Sequence, residues 1–279
     1  MIFNMQATIK IPAKINLGLN IVSKRPDGYH NLETVFYPVP LYDELTMEVL
    51  SDSNTTSLHI DGLDIAGDVS DNLVLRAYRL LSNDFEIPPL RFNLRKNIPT
   101  QAGMGGGSAD ATYTLLLLNR EFHLGLDETA LTGYAERLGA DCPFFVYSKP
   151  CYATGIGEQL EMVDLDLKGL EIVIIKPDIA ISTKEAFSLV VPRPSSKNCR
   201  EIVSQPIETW RDELKNDFEI SAFTLYPQLA EIKKRLYESG ALYASMTGSG
   251  SAMFGIFRKP LENNNSLFCQ RNNNYFLTL

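Results

Sequence analysis

The sequence predicts an α+β protein arranged in two lobes. Three observations carry this. At 279 residues one hydrophobic core is near its practical limit. Stretches of alternating apolar residues are mixed with stretches of helical spacing. The regular strand–helix alternation of a doubly wound parallel sheet is missing.

The elements follow in order. Ile15, Leu17, Leu19 and Ile21 alternate with other residues, the mark of a half-buried strand. Leu32 to Val39 and Glu44 to Leu50 predict two more strands, separated by turn chemistry at Pro40 to Asp43. Asp71 is placed to cap a helix carrying Leu73, Ala77, Leu80 and Leu81 on one face. Leu90 to Leu94 is a short strand leading into a glycine-rich loop, with a helix expected from Ser108 to about Phe122. Another helix starts at Asp127, carries Leu131, Ala135 and Leu138, and stops at Gly139 as a left-handed cap. Phe144 to Tyr147 returns to strand. The second lobe begins near the strand Ile172 to Ile175, with the boundary expected near residues 158–170. It continues through a helix from about Thr183, a Pro-rich break at Val191 to Ser195, and a helix Gln228 to Glu238 closed by Gly240. Strands Leu242 to Thr247 and Ala252 to Phe257 flank Gly248 and Gly250. The tail from Leu261 holds two Asn triplets before a final strand, Tyr275 to Leu279.

Charge narrows the partners. Lys and Arg total 26 against 34 Asp and Glu, a formal net charge of −8. Nucleic acid and anionic membranes require a basic face, so neither is expected, although a local basic pocket for one phosphorylated small molecule stays open. No apolar run approaches the roughly 18 residues that span a bilayer. A basic and apolar leader is not visible, and Met5 is as good a start as Met1. Cys142, Cys151, Cys199 and Cys269 form no C-x-x-C pair and are expected as reduced, buried thiols. His30, His59 and His123 are scattered, which argues against a histidine metal site. A cytoplasmic protein is expected.

The strongest chemical feature is Pro99-Thr100-Gln101-Ala102-Gly103-Met104-Gly105-Gly106-Gly107-Ser108-Ala109-Asp110. Four glycines within five residues remove side chains and let backbone N–H groups converge on an anion. The helix that follows adds its positive end. A flexible turn is the plainer alternative. A P-loop needs Lys followed by Ser or Thr, and no Lys lies between Pro99 and Asn119. A dinucleotide fingerprint needs a third glycine where Ser108 stands, after an early parallel βαβ unit. A protein-kinase loop requires an H-R-D segment, which is missing.

These residues resemble the GHMP small-molecule kinases, the family of galactokinase, homoserine kinase and mevalonate kinase. The loop is similar to that family's phosphate-binding motif. Pro12-Ala13-Lys14-Ile15-Asn16-Leu17-Gly18-Leu19 resembles its opening strand, and Met246-Thr247-Gly248-Ser249-Gly250-Ser251-Ala252 its third motif. Arg25-Pro26-Asp27-Gly28-Tyr29-His30 and Gly139-Ala140-Asp141-Cys142-Pro143-Phe144-Phe145 are similar to one branch, whose acceptor is methylerythritol linked to cytidine diphosphate. The likeness runs from about Ala13 to Phe257. Met104 departs from the family's usual Leu, a volume-conserving swap. Ala109 stands where a second Ser is common, removing a hydroxyl donor, and Ser251 and Ala252 also differ from the usual residues.

The resemblance implies the two-lobed GHMP fold, with an S5 domain 2-like N-terminal ATP-binding domain over 1–163 and a ferredoxin-like domain over 164–279. It implies ATP as donor, with magnesium riding on the phosphates, and phosphorylation of the acceptor's 2-hydroxyl in non-mevalonate isoprenoid precursor biosynthesis. A homoserine- or mevalonate-type acceptor, and a non-catalytic nucleotide binder, are the rival outcomes. Oligomeric state is left open. Phosphoryl transfer to an alcohol needs a carboxylate to take the hydroxyl proton. Asp141 is that candidate, an Asx turn before Pro143 being its structural alternative. Lys14 is expected to keep Asp141 ionised and to orient the hydroxyl, or else to be an exposed strand lysine. Asn16 shares its face of the strand and either binds acceptor or phosphate oxygens or bridges backbone. Tyr29 and His30 are implied to recognise the cytosine base, with Phe187 closing its other face and Thr183 beside it; core packing is equally open for Phe187. Gly248 and Gly250 are expected to let their loop approach the donor loop or acceptor phosphates, a plain hairpin turn being the alternative. Asp71 and Asp110 are read as helix-terminal charges rather than metal ligands, and Cys142 as a packing residue.

Overall fold

The alternation at Ile15, Leu17, Leu19 and Ile21 belongs to a strand much longer than those positions. In the structure, a computed structural model that describes residues 5–51, 55–65, 67–258 and 274–279, strand β1 runs Gln6–Lys24 and buries all four. Strand β2 runs unbroken through His30–Val49. The turn expected at Pro40 to Asp43 is therefore absent. The reason lies in the partners: β2 pairs with β5 (Cys151–Thr154) through Thr34–Phe36 and with β4 (Leu90–Lys96) through Glu44–Val49. Pro38 and Pro40 fall between those two ladders, so neither β5 nor β4 asks them for an N–H. Strand β3 (Ser57–Gly62), not anticipated, lies parallel to β4, and β6 (Gln159–Met162) extends β5.

A 3₁₀ turn at Val69–Asp71 precedes helix α1 (Leu73–Ser82). Asn72, not Asp71, is the cap: its side chain accepts from Val74 N at 2.9 Å. Asn72→Ala should therefore lower stability by about 1 kcal/mol in a urea titration, and Asp71→Ala should leave the midpoint unmoved. Helix α2 spans Gly106–Glu121, starting two residues before the expected Ser108. Helix α3 (Glu128–Glu136) has the expected Asp127 cap, yet ends with Arg137 in right-handed conformation, so Gly139 does not close it. The segment read as strand Phe144 to Tyr147 is helix α4, Cys142–Tyr147. Pro143 stands in its first turn, where a missing N–H costs nothing, and left-handed Ser148 ends it.

Later elements are β7 (Glu171–Ile175), α5 (Thr183–Phe187, capped by Ser182 with Glu185), α6 (Cys199–Val203), α7 (Trp210–Glu213), α8 (Phe218–Leu225) and α9 (Pro227–Glu238). They are followed by β8 (Tyr243–Met246), β9 (Met253–Phe257) and β10 (Asn274–Thr278). The Asn-rich stretch and Cys269 lie outside the described residues.

The described residues form two compact units. Those of Met1–Ala13, Leu41–Thr100 and Gly105–Ser148 make the first, and those of Lys14–Pro40, Gln101–Met104 and Lys149–Leu279 the second. In the first unit α2 packs against α1 and α4, and α3 against α4. In the second, β10-β7-β9-β8 form an antiparallel sheet with α9 packed on β8 and β9. Its core joins Leu19 and Ile21 of β1 to Phe218, Leu236, Met246 and Met253. Cys142, Cys151 and Cys199 are free and buried. Burial pushes the thiols of Cys142 and Cys151 up to about 11, and Cys199 well above its usual value, which suits packing rather than reactivity. Among the described residues no helix is long and apolar enough to cross a membrane.

Candidate functional site

In the first unit the glycine-rich segment supplies two shoulders. Pro99 is buried and Thr100 exposed at the exit of β4. Gly105, in left-handed conformation at φ 70°, leads into α2. Ala109 N donates to Gly105 O, the first bond of the helix, which leaves the amides of Gly106, Gly107 and Ser108 without intrahelical acceptors. Gly107 is exposed, Gly106 and Ser108 are part-exposed, and Ala109 is buried. Backbone donors and the positive helix end thus coincide, an arrangement able to hold an anion.

Asp110, read from sequence as a helix-terminal charge, is instead in the interior. Its Oδ2 accepts from Lys96 Nζ at 2.7 Å, and Lys96 also pairs with Asp43. The three side chains are at most 4% exposed. Asp71 stays exposed. Asp141 precedes α4 as its N-cap, rather than preceding a strand, and its carboxylate makes no capping hydrogen bond to that helix.

The second unit holds the middle of the glycine segment and the third glycine motif. Gly103, at φ +72°, comes so near Thr247 that a Cβ there would lie 1.9 Å from Thr247 O. No side chain fits. Gly103 O accepts from Lys14 Nζ at 3.1 Å and from Thr247 Oγ1 at 3.0 Å. Lys14, 3% exposed, also donates to Asn16 Oδ1 at 2.7 Å and sits 4.8 Å from the centre of the Phe36 ring. The exposed strand lysine is thereby excluded. Asn16 Nδ2 donates to Thr34 Oγ1, and Asn16 N to Thr247 Oγ1, both at 3.0 Å. Met104 O and Ala102 O accept from Lys14 N and Ala252 N, both residues being buried, while Gln101 is exposed with φ 50°. Gly248 approaches Gly103 from the same side, a Cβ on it falling 3.0 Å from Gly103 O.

In the turn between β1 and β2, Asp27 Oδ1 accepts from Tyr29 N at 3.0 Å, and Tyr29 is left 62% exposed. His30 stacks on Phe187, with ring centres 4.4 Å apart and planes 20° from parallel. Phe187 in turn meets Phe218 edge-on at 4.8 Å. Thr183 is the first residue of α5. Several residues of these clusters were not singled out in the sequence. Asn216 Nδ2 bonds Met246 O and Gly248 O at 2.8 and 2.9 Å, tying down the third motif; a lone Asn after Lys215 carries no signal. Thr34, within an apolar strand, carries no signal either, and the sequence showed Thr247 only as a member of the third motif. Lys96 and Asp43 stand apart in the chain and meet only in the fold.

Two family models match the chain: GHMP kinases N terminal domain over residues 72–149 and GHMP kinases C terminal over 198–267. The chain belongs to the GHMP kinases. A relative from Bacteroides fragilis named 4-diphosphocytidyl-2-C-methyl-D-erythritol kinase is 52% identical over 246 residues, covering 88% of this chain and 90% of its own. A crystal structure of 4-(cytidine 5'-diphospho)-2C-methyl-D-erythritol kinase aligns with TM-score 0.83 and 31% identity over 98% of both chains. A homoserine kinase from Cytophaga hutchinsonii shares the GHMP kinase fold, at TM-score 0.69 and 16% identity over 98% of this chain and 95% of that one.

Proposed function

We propose that this GHMP kinase transfers the γ-phosphoryl group of ATP to the 2-hydroxyl of 4-diphosphocytidyl-2-C-methyl-D-erythritol, a step of non-mevalonate isoprenoid precursor biosynthesis. The observation that carries the proposal is relatedness: 52% identity to a kinase of that name, against 16% for a homoserine kinase of the same fold. The exposed Tyr29 ring, next in sequence to the His30 that stacks on Phe187, supports it, since an accessible flat ring suits a nucleobase.

In the reaction the acceptor oxygen forms a bond to the γ-phosphorus as the bond from that phosphorus to the bridging oxygen breaks, releasing ADP. Asp141 takes the hydroxyl proton. Lys14 supplies positive charge to the acceptor oxygen, and Asn16 helps hold Lys14 where its hydrogen bond already sets it. Backbone amides from the Pro99–Ala109 segment hold the phosphates, with Gly248 keeping the third motif low against Gly103. Tyr29, His30, Thr183 and Phe187 receive the cytidine. The amides of Gly106, Gly107 and Ser108 would hold a magnesium–ATP complex through its phosphates, and the magnesium would neutralise part of their charge. We assign 1–163 to an ATP-binding domain and 164–279 to the second GHMP domain, and place the enzyme in the cytoplasm, where its buried thiols stay reduced.

The test is ADP release with one candidate alcohol at a time. Turnover is expected with the cytidylated methylerythritol, with kcat/KM at least about 100-fold lower for plain methylerythritol, homoserine or mevalonate, because those alcohols lack the base that Tyr29 and His30 are proposed to receive and so forgo its binding energy in the transition state. Preference for an uncytidylated alcohol would overturn the substrate, and acceptor-independent nucleotide binding without turnover would overturn the activity.

A further inference from the structure

Asp43, Lys96 and Asp110 form a buried ionic cluster that the proposed chemistry does not use. It lies wholly in the first unit and touches both shoulders of the glycine-rich segment. On the strand side, Asp43 Oδ1 accepts from Asn97 N at 2.6 Å and Ile98 N at 2.8 Å, the first two amides after β4. On the helix side, Lys96 Nζ reaches Asp110 Oδ2 at 2.7 Å. The ammonium also lies 3.3 Å from where a Cβ on Gly106 would sit, so it is packed beneath the first residue of α2. Asp43 and Lys96 are themselves hydrogen-bonded, which closes the chain from strand exit to helix entry.

The composition of the cluster matters. Two carboxylates share one ammonium in a dry site, so full ionisation of all three would leave a net buried negative charge beneath an anion-binding helix end. Burial drives the Asp110 carboxyl up to about 8, helped by Asp43 and opposed by Lys96. The same burial pulls Lys96 down, but the two carboxylates outweigh it and leave its affinity for the proton raised. Burial thus works against full ionisation of Asp110, whose Oδ2 is tied to the Lys96 ammonium at 2.7 Å. Asp110 Oδ1 is buried with no hydrogen-bond partner, so the carboxyl contributes through Oδ2.

We propose that Asp110, acting through Lys96 and Asp43, is a positioning residue for the nucleotide: the cluster locks Asn97–Ile98 to the first turns of α2 and so aims the amides of Gly106, Gly107 and Ser108 at the phosphates. This rests on the reading of that segment as the ATP-phosphate site. A side chain that only stabilised the fold would change the melting temperature and leave the balance between the two substrates alone; an aiming residue changes nucleotide affinity selectively.

The experiment measures the Kd of a non-hydrolysable ATP analogue with magnesium by calorimetry, together with KM for ATP and for the alcohol. Asp110→Ala leaves Lys96 paired one-to-one with Asp43, and Asp110→Ser falls short of Lys96 while still bonding within its own turn. In either variant the Kd of the analogue and KM for ATP are expected to rise about tenfold, with KM for the alcohol within about twofold of wild type. Asp110→Asn retains an oxygen for Lys96 and is expected to recover nucleotide affinity to within about threefold. Unchanged nucleotide affinity in a folded Ala or Ser variant, or a loss in Asn as deep as in Ala, would overturn the inference. A wild-type protein that binds the analogue but phosphorylates no cytidylated alcohol would overturn the proposed substrate and leave this inference standing.

Discussion

Asp141→Asn is expected to lower kcat by about 10²- to 10⁴-fold, the range contributed by a positioned general base, while Kd for a magnesium–ATP analogue stays within about threefold. Asparagine nearly matches the shape of aspartate but cannot accept the hydroxyl proton. Asp141 caps α4 through its backbone, with no side-chain capping bond, so α4 has no such bond to lose. Single-turnover phosphorylation at saturating ATP measures the chemical step directly, and a rate near wild type would remove Asp141 from the mechanism.

Gly103→Ala should be the most damaging single methyl in the glycine-rich segment. The residue is held at φ +72°, where a Cβ costs about 1–2 kcal/mol. That Cβ would also lie 1.9 Å from Thr247 O, so the backbone of one segment must shift, at a further cost of about 1–3 kcal/mol. A total near 3 kcal/mol corresponds to roughly 6–12 °C in Tm for a chain of this size. Gly125→Ala is the control: φ is +73°, but nothing lies within 4 Å of the added carbon. It carries the conformational cost alone. Equal losses in the two variants would show that the approach to Thr247 is relaxed in solution. Activity separates them further, because Gly103 O is bonded to Lys14 Nζ and moves with any shift of its segment.

Most of the long elements were legible because their periodicity is local. The alternation of β1, the extent of α9 and the start of α5 near Thr183 need no knowledge of distant residues. The errors have a common origin in tertiary partners. Asp43 looked like turn chemistry after Pro40, yet its carboxylate is consumed by Lys96 and by two amides more than fifty positions along the chain. Such a group holds a strand straight where its polarity suggests a bend. Phe144 to Tyr147 is apolar without visible period, and so short a run does not distinguish helix from strand; Pro143 was the available signal for a helix start. The short helices α6, α7 and α8 offer too few turns to show a stripe.

The candidate site divides in the same way. Glycine-rich motifs are visible because they are contiguous, and Lys14 with Asn16 because two residues apart on a strand means one face. The Thr247 hydroxyl that serves both Gly103 O and Asn16, and Asn216 beneath Met246 and Gly248, are products of chain segments meeting. The stacking of His30 on Phe187 is likewise set by α5 and β2 together.

The interleaved composition of the two units bears on how the protein is born. Everything needed for the first unit has been synthesised by Ser148, whereas Lys14–Pro40 belongs with a stretch that ends at the C-terminus. Leu19 and Ile21 leave the ribosome well before their neighbours Phe218, Leu236 and Met253. Until then those early strands wait, greasy and unshielded, and a nascent chain in that condition is a natural client for holdase chaperones and a hazard when translation stalls late.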